Sequence, residues 1–197
     1  MLPRSFYFLR HGETDWNKER RFQGPNEDIP LNDTGRHQAY LAALKLKHKP
    51  IDRIIASPLS RAYETAEIIN QFLQKPIETD ERLKEKDFGF YNGKTLDEVN
   101  KWEKKNPDKL GVLEPETGFK LSPQGEAYGD FQKRILEAFV EYIEKYPNEN
   151  LLFVAHGGLY STLHYTLMKE IKHSSNAQPF HFMRNAAQDW SLIELTE

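Results

Sequence analysis

Three short apolar runs punctuate the chain: Ser5–Leu9 (SFYFL), Ile51–Ala56 (IDRIIA) and Leu151–Ala155 (LLFVA). They are brief, aromatic or β-branched, and mostly unalternating, which suits strands covered on both faces, although periodicity alone leaves buried helix open. Helical patterns follow them. Beyond Asn32–Asp33, which supply N-cap chemistry, Ala39, Ala42, Ala43 and Leu46 fall on one stripe. In SPLSRAYETAEIINQFLQ, Ser57 is the expected N-cap and Pro58 the first helical residue, with Leu59, Ala62, Ala66, Ile69 and Leu73 at helical spacing. A further helix is predicted from about Gly125 to Tyr146 on Phe131, Ile135, Ala138, Phe139 and Tyr142. Another, after HGG, rests on Leu159, Leu163 and Leu167.

Strands and helices alternating in this order predict an α/β fold: a mostly parallel central sheet with helices on both faces, three layers in all. PIET (76–79) and the alternating tail DWSLIELTE read as further short strands, the latter at an edge. The stretch 94–124 differs, being Pro- and Gly-punctuated and rich in Lys and Glu, with one short helix at most. We read residues 1–197 as a single domain with a cap-like insertion at about 94–124, an excursion over the site.

Composition narrows the setting. The 197 residues, 38% hydrophobic and 29% charged, are enough for one substantial core. With no cysteine there is neither a disulfide framework nor a thiolate metal site. The opening MLPRSFYFLRHGE has no small-residue cleavage site after its apolar run, so no signal peptide is expected. No apolar stretch approaches the roughly 20 residues of a spanning helix. The expectation is a soluble, cytoplasmic protein with no membrane partner. A net charge of −3 argues against nucleic acid as a partner, so any anion affinity comes from a local cluster. Oligomeric state cannot be read from the chain.

Such a cluster is legible at the strand ends. Arg10 and His11 follow the first run, Ser57 and Arg61 the second, and His156, Gly157 and Gly158 the third. In open α/β sheets ligands bind beyond the carboxyl ends of the strands, where helix N-termini also present N–H donors that suit phosphate. Taken singly, RHG is an ordinary loop, SPLSRA helix capping and HGG a turn. Together they converge on an anion site in which His11 could act as nucleophile.

The same segments carry a resemblance. LRHGETDWN, RFQG…DIPLNDTGRHQA, IIASPLSRAYETA, ERLKEKDFGFYNGKT and LLFVAHGGLYSTL resemble successive blocks of the histidine phosphatase superfamily, in the branch with cofactor-dependent phosphoglycerate mutases and related phosphatases. The resemblance implies a phosphoric monoester hydrolase of the histidine acid type. His11 would take the phosphoryl group to form a phosphohistidine. Arg10, Arg61 and His156 would surround the phosphoryl oxygens, Asn17 and Gln23 would add neutral donors at the rim, and Gly157 would complete the substrate-binding set. Glu85 would be the general acid, with Glu81 the competing candidate in the same charged run; Glu13 is read as structural. No metal and no cofactor is implied.

The chain departs from the family pattern in three places. GPNEDIP after Gln23 is about one residue longer than common versions, and Ala127 stands where many relatives have Ser. The excursion offers Lys104, Lys105, Lys109 and Lys120 but no arginine pair such as the mutases use to grip a second anion. The preferred expectation is therefore a metal-independent phosphomonoesterase acting on a small phosphorylated metabolite. Sugar phosphates, nucleotide-pathway phosphates, a cobalamin-precursor phosphate and phosphoproteins all remain open as substrates. The alternatives are a cofactor-dependent phosphoglycerate mutase and a non-catalytic module binding a phospho-ligand or protein. His37, His48, His164, His173 and His181 read as surface or satisfied histidines, and Trp16, Tyr91 and Trp102 as packing rather than cleft lining.

Overall fold

Side chains along the first strand, β1 (Phe6–Arg10), sort to opposite faces as the pleat requires. Phe6 and Phe8 enter one core, Tyr7 and Leu9 another, so both faces of the strand are covered. The computed structural model of the chain describes residues 2–111, 113–114 and 122–196, and the backbone of 119–120. Around β1 runs a six-stranded sheet in the order β3-β2-β6-β1-β7-β8. Its members are β2 (Arg53–Ala56), β3 (Ile77–Thr79), β6 (Leu151–Ala155), β7 (Pro179–Arg184) and β8 (Trp190–Glu194). The first four in that order pair in parallel and the last two antiparallel, so the sheet is mixed but mostly parallel, as predicted. All five residues of β6 are buried, which is why the run does not alternate.

The two faces are filled differently. α2 (Asp33–Leu46) and α3 (Ser60–Leu73) cover one face through Ala42, Ala43 and Ala66, residues small enough for close helix approach. α5 (Tyr128–Lys145) and α6 (Gly157–Met168) cover the other, where Phe6, Phe8, Phe139, Phe153 and Phe182 build an aromatic core. There Phe139 stacks on Phe153 with centroids 3.8 Å apart.

Local readings need correction in four places. Helix α3 begins at Ser60, not Pro58, and its N-cap Leu59 makes no side-chain cap bond. The Asp28 carboxylate does the capping instead, accepting from the Ser60 N–H at 2.8 Å and the Ser60 hydroxyl at 2.9 Å. Helix α5 starts at Tyr128 rather than Gly125, and its Ala127 N-cap cannot bond; Glu114 Oε1 accepts the Tyr128 N–H at 2.6 Å. β7 and the short helix α1 (Asp15–Lys18) were not anticipated. β7 opens on Pro179 and interleaves Phe180 and Phe182 with His181 and Met183, which hides a strand lying between β1 and β8.

Within 94–124 the chain forms α4 (Leu96–Lys105), capped by a Thr95–Glu98 box, a 3₁₀ turn at Pro107–Lys109, and a two-stranded ladder of β4 (Leu113–Glu114) with β5 (Phe119–Lys120). Lys104, Lys105 and Lys109 are exposed. Residues 112, 115–118 and 121, with the Lys120 side chain, lie outside the described residues, so the proposed insertion is described only in part.

The loop after β1 is pressed onto the start of α2. A Cβ at Gly35 would stand 2.1 Å from the Glu13 carbonyl oxygen, and one at Gly12 would stand 2.4 Å from the Gly35 carbonyl oxygen. Both obstacles are backbone, so neither can swing aside. Gly35→Ala is expected to cost about 2–3 kcal/mol in urea unfolding, an overpacking penalty. A loss under about 0.5 kcal/mol would show that this contact is not tight.

Candidate active site

Each parallel strand delivers its last residues to one end of the sheet. His11 directly follows β1, its backbone N–H extending the ladder to the Ala155 carbonyl at 2.9 Å. His156 follows β6 and is fully buried. Their ring centroids lie 5.2 Å apart with planes at 60°, so the sheet brings the two imidazoles side by side. Arg61, in the first turn of α3, has no exposed surface although it is the largest of the fully buried side chains.

Hydrogen bonding fixes the tautomer of His11. Its Nδ1 lies 2.7 Å from the Gly12 carbonyl oxygen, which can only accept. Nδ1 therefore carries the hydrogen, and Nε2 keeps its lone pair. The backbone of Gly12 is itself held by the Thr65 hydroxyl, which accepts its N–H at 3.0 Å. His156 Nε2 is 2.8 Å from the Ser57 hydroxyl. Ser57, expected to cap α3, is thus spent on orienting an imidazole.

Several buried nitrogens have no partner among the described residues: Arg10 Nε, Arg61 Nε and Nη1, and His156 Nδ1. Arg10 gives Nη1 to the Ser174 carbonyl at 2.8 Å, and Arg61 gives Nη2 to the Gln23 and Gly24 carbonyls at 3.3 and 3.2 Å. Unpaired buried nitrogens on two cations and an imidazole are costly in isolation and favour an anion beside them.

An open-mouthed cavity of ≈ 230 Å³ lies here. Of the expected residues, Arg10, His11, Asn17, Gln23, Glu85 and Gly157 line it, while Arg61 and His156 are buried beside His11 without lining it. Asn17 Oδ1 accepts from the Thr14 N–H and from Asn176 Nδ2, leaving the Asn17 amide NH₂ as its available group. Gln23 is held by Thr14, to whose hydroxyl its Nε2 donates at 2.8 Å. Gly157 allows Arg10 to lie close, since a Cβ there would be 3.3 Å from Arg10 Nε. Glu85 is 7% exposed; one carboxylate oxygen accepts the Lys86 N–H at 2.9 Å and the other the Gly158 N–H at 2.9 Å. Glu81 is exposed, paired with Lys84, and outside the cavity. Glu13 accepts from Asn32 Nδ2 at 3.0 Å, a bond that ties the loop to the start of α2.

Gly158, named with the third strand end, lines it too; the rest of the lining was not anticipated: Arg21, Phe22, Phe88, His173 and Ser174. None of the described residues of 94–124 contributes. The longer loop after Gln23 is pinned instead by Asn26 Nδ2 to Asp87 at 3.0 Å and by Asp28 to Ser60. His173 was read as a surface histidine; it is exposed, and it stands at the mouth. Asn176 was also missed: its Nδ2 donates to the His11 carbonyl at 3.0 Å and so joins His11 to Asn17. His164, bonded to the Glu170 carbonyl, and Tyr91, whose hydroxyl donates to Glu103, are satisfied internally as read. Among the described residues no three His, Asp or Glu side chains gather in metal-binding geometry.

Burial, with the adjacent Arg61 and Arg10 charges, pushes His11 well below the usual histidine range. Burial acts on His156 in the same direction, followed by Arg61, His11 and Arg10. Arg61 is itself pushed down to about 10 by burial, against the opposing pull of Glu85 and Asp28. Both imidazoles are thus neutral near pH 7, the form a nitrogen nucleophile needs.

That shift makes stability depend on pH. Unfolded, each histidine takes up a proton near pH 6.5. Folded, His11 and His156 do so only well below that, so the unfolded state binds more protons in between. Stability is full above about pH 6.5 and falls as the pH drops below it, by up to about 1.4 kcal/mol per pH unit for each histidine. Urea unfolding between pH 7.5 and 5.5 in phosphate-free buffer is expected to show this decline; a flat profile would refute it.

Comparison with known proteins places the chain in a family. The chain matches the histidine phosphatase superfamily (branch 1) over residues 6–195. The chain belongs to the histidine phosphatase superfamily. Within it, the chain is similar to the uncharacterized phosphatase PhoE of Bacillus subtilis, with 38% identity over 149 residues covering 76% of this chain and 69% of that one. It is similar also to the probable phosphoglycerate mutase GpmB of Photorhabdus laumondii, 37% identical over 156 residues, with 77% and 68% covered. The solved structure of YhfR from Bacillus stearothermophilus superposes with a TM-score of 0.80 at 30% identity, covering 96% of this chain and 95% of that one. Membership of the superfamily and the phosphatase-named relatives support phosphatase activity. No helix among the described residues is long and apolar enough to cross a membrane.

Proposed function

We propose that the protein is a phosphomonoesterase that needs no metal and hydrolyses a small phosphorylated metabolite through a phosphohistidine on His11 Nε2. The observation that carries this reading is the tautomer. With Nδ1 donating to the Gly12 carbonyl, the nitrogen left with a lone pair is Nε2, in a site with buried unpaired N–H groups of Arg10 and Arg61 and the unpaired Nδ1 of His156. Nε2 attacks phosphorus and the ester P–O bond breaks. The leaving oxygen takes the proton of Glu85, whose carboxylate lines the same cavity. Water then attacks phosphorus, gives its proton to Glu85, and the P–N bond breaks to release phosphate. The guanidinium groups of Arg10 and Arg61 and the His156 imidazole hold the three equatorial oxygens as charge spreads over them. Asn17, Gln23 and the backbone at Gly157 supply neutral contacts at the rim.

The mutase alternative asks for a second anion grip. Lys104, Lys105 and Lys109 are exposed, and no described residue of 94–124 lines the cavity, which favours release of phosphate over its return to a bound product. The test is rapid quench with a ³²P-labelled phosphomonoester in the presence of a metal chelator. Acid-labile, alkali-stable label on the protein, together with phosphate release from 3-phosphoglycerate faster than 2-phosphoglycerate formation, is the expected result. Turnover without such an adduct would overturn the mechanism, and loss of turnover with chelator would overturn its metal independence.

A further inference from the structure

The segment that carries Glu85 belongs to neither a helix nor the sheet from Lys84 to Phe88, so its backbone carbonyls lack ladder partners. One side chain from α5 supplies partners for the first two of them. Arg134 Nη1 donates to the carbonyls of Arg82 at 2.6 Å and Lys84 at 2.8 Å, and Nη2 donates to the carbonyl of Glu85 itself at 3.1 Å. Its remaining N–H groups go to Glu126, Nε to Oε1 at 2.6 Å and Nη2 to Oε2 at 2.9 Å. Glu126 closes the ring: its backbone N–H donates to the Asp87 carbonyl at 2.8 Å and its carboxylate accepts the Asp87 N–H at 3.2 Å. All five N–H groups of the guanidinium are thereby used, so none is left for a substrate oxygen. Nor does Arg134 line the cavity.

We propose that Arg134, locked by Glu126, is a positioning residue that holds the Glu85 carboxyl at the leaving-group oxygen. The assignment rests on the reading of Glu85 as general acid. A planar fork can bind three backbone carbonyls and a carboxylate at once through five N–H groups, whereas an ammonium has only three. Glu85 has little latitude of its own: a Cβ at residue 158 would stand 2.3 Å from Glu85 Oε1, so the carboxyl lies directly against the start of α6. A small displacement of the 82–87 backbone therefore moves the acid off the Gly158 N–H and away from its proton acceptor. Misplacement on the order of 1 Å costs a general acid most of its effect.

The readout is dependence on the leaving group. Arg134→Lys is expected to lower kcat/KM for an alkyl phosphate such as glycerol 2-phosphate about 10- to 100-fold, because an alkoxide must be protonated as it leaves. For 2,4-dinitrophenyl phosphate, whose leaving group needs no proton, the change is expected to stay below about 3-fold. In a Glu85→Gln background the Arg134→Lys effect on the alkyl ester is expected to vanish, since the two act as one unit. Glu126→Gln gives the same split at smaller size and guards against a lysine variant that does not fold. Equal losses on both esters, or full additivity with Glu85→Gln, would overturn the proposal. Amide hydrogen exchange at Gly158 gives a measure independent of turnover: faster exchange in Arg134→Lys is expected, and unchanged protection would overturn it. Failure of the wild type on both esters would strike the reading of His11 and Glu85 instead, and the exchange measurement would then decide the positioning role by itself.

Discussion

Replacing His11 with alanine is expected to abolish phosphoenzyme formation and to reduce turnover of any phosphomonoester by about 10⁴-fold or more. The size follows from the division of labour in the site. In the proposed mechanism Nε2 of His11 attacks, its Nδ1 being held by the Gly12 carbonyl, while Nε2 of His156 is engaged with the Ser57 hydroxyl. Among the described residues the other imidazole lining the cavity, His173, stands exposed at its mouth with Nδ1 3.2 Å from the Ser161 hydroxyl. Binding should survive: Arg10, Arg61 and His156 remain, and their unpaired nitrogens do not depend on the His11 ring. Inorganic phosphate, followed by its effect on Tm, is therefore expected to stabilise His11→Ala to within about 1 kcal/mol of its effect on wild type. Loss of phosphate protection along with turnover would show that His11 holds the pocket together rather than attacks from it. Retained turnover would remove the phosphohistidine altogether.

What could be read from the chain and what could not divide along a physical line. His11 and His156 were legible because each sits directly after an apolar run, and Arg61 because it lies in the first turn of the helix that follows one; parallel strands bring such positions to one end of a sheet whatever their separation in sequence. The stripes on α2 and α3 were legible for a similar reason: burial of one helix face imposes its period on local sequence. Ser57 misled because capping is a local rule and the hydroxyl was claimed by a residue 99 positions away. β7 was hidden because one face meets aromatic residues and the other carries His181, stacked on Tyr7 at 4.2 Å, so its polar position is in fact packed. Arg134 looks in sequence like any charged residue on the outer side of a helix. Only the return of the 82–87 segment to its side gives the charge a task. The mouth of the cavity was illegible for the same reason, being assembled from 21–22, 88 and 173–174, none of which carries a local pattern.

Arg61 is where catalysis and stability are expected to part. Its side chain has no exposed surface, two of its nitrogens have no partner, and the third donates to two carbonyls at 3.2 and 3.3 Å, long for charge-assisted bonds. A buried cation so held contributes little to folding, and its exchange for an apolar chain of similar length is often neutral or stabilising. Arg61→Met is thus expected to keep urea stability within about 1 kcal/mol of wild type, or to raise it. Its kcat/KM is expected to fall about 10³-fold, because the two buried, unpaired donors that the proposed mechanism sets against the developing charge are lost. The pH profile should change as well. After burial, Arg61 is the largest influence lowering both His11 and His156. Without it both imidazoles hold a proton to higher pH, His11 loses its lone pair sooner on acidification, and the acidic limb of kcat/KM moves up the pH scale. A Met variant that loses 3 kcal/mol or more of stability while its activity drops only about 10-fold would make Arg61 a packing residue. An acidic limb that stays where it is in wild type would show that the guanidinium charge does not reach His11.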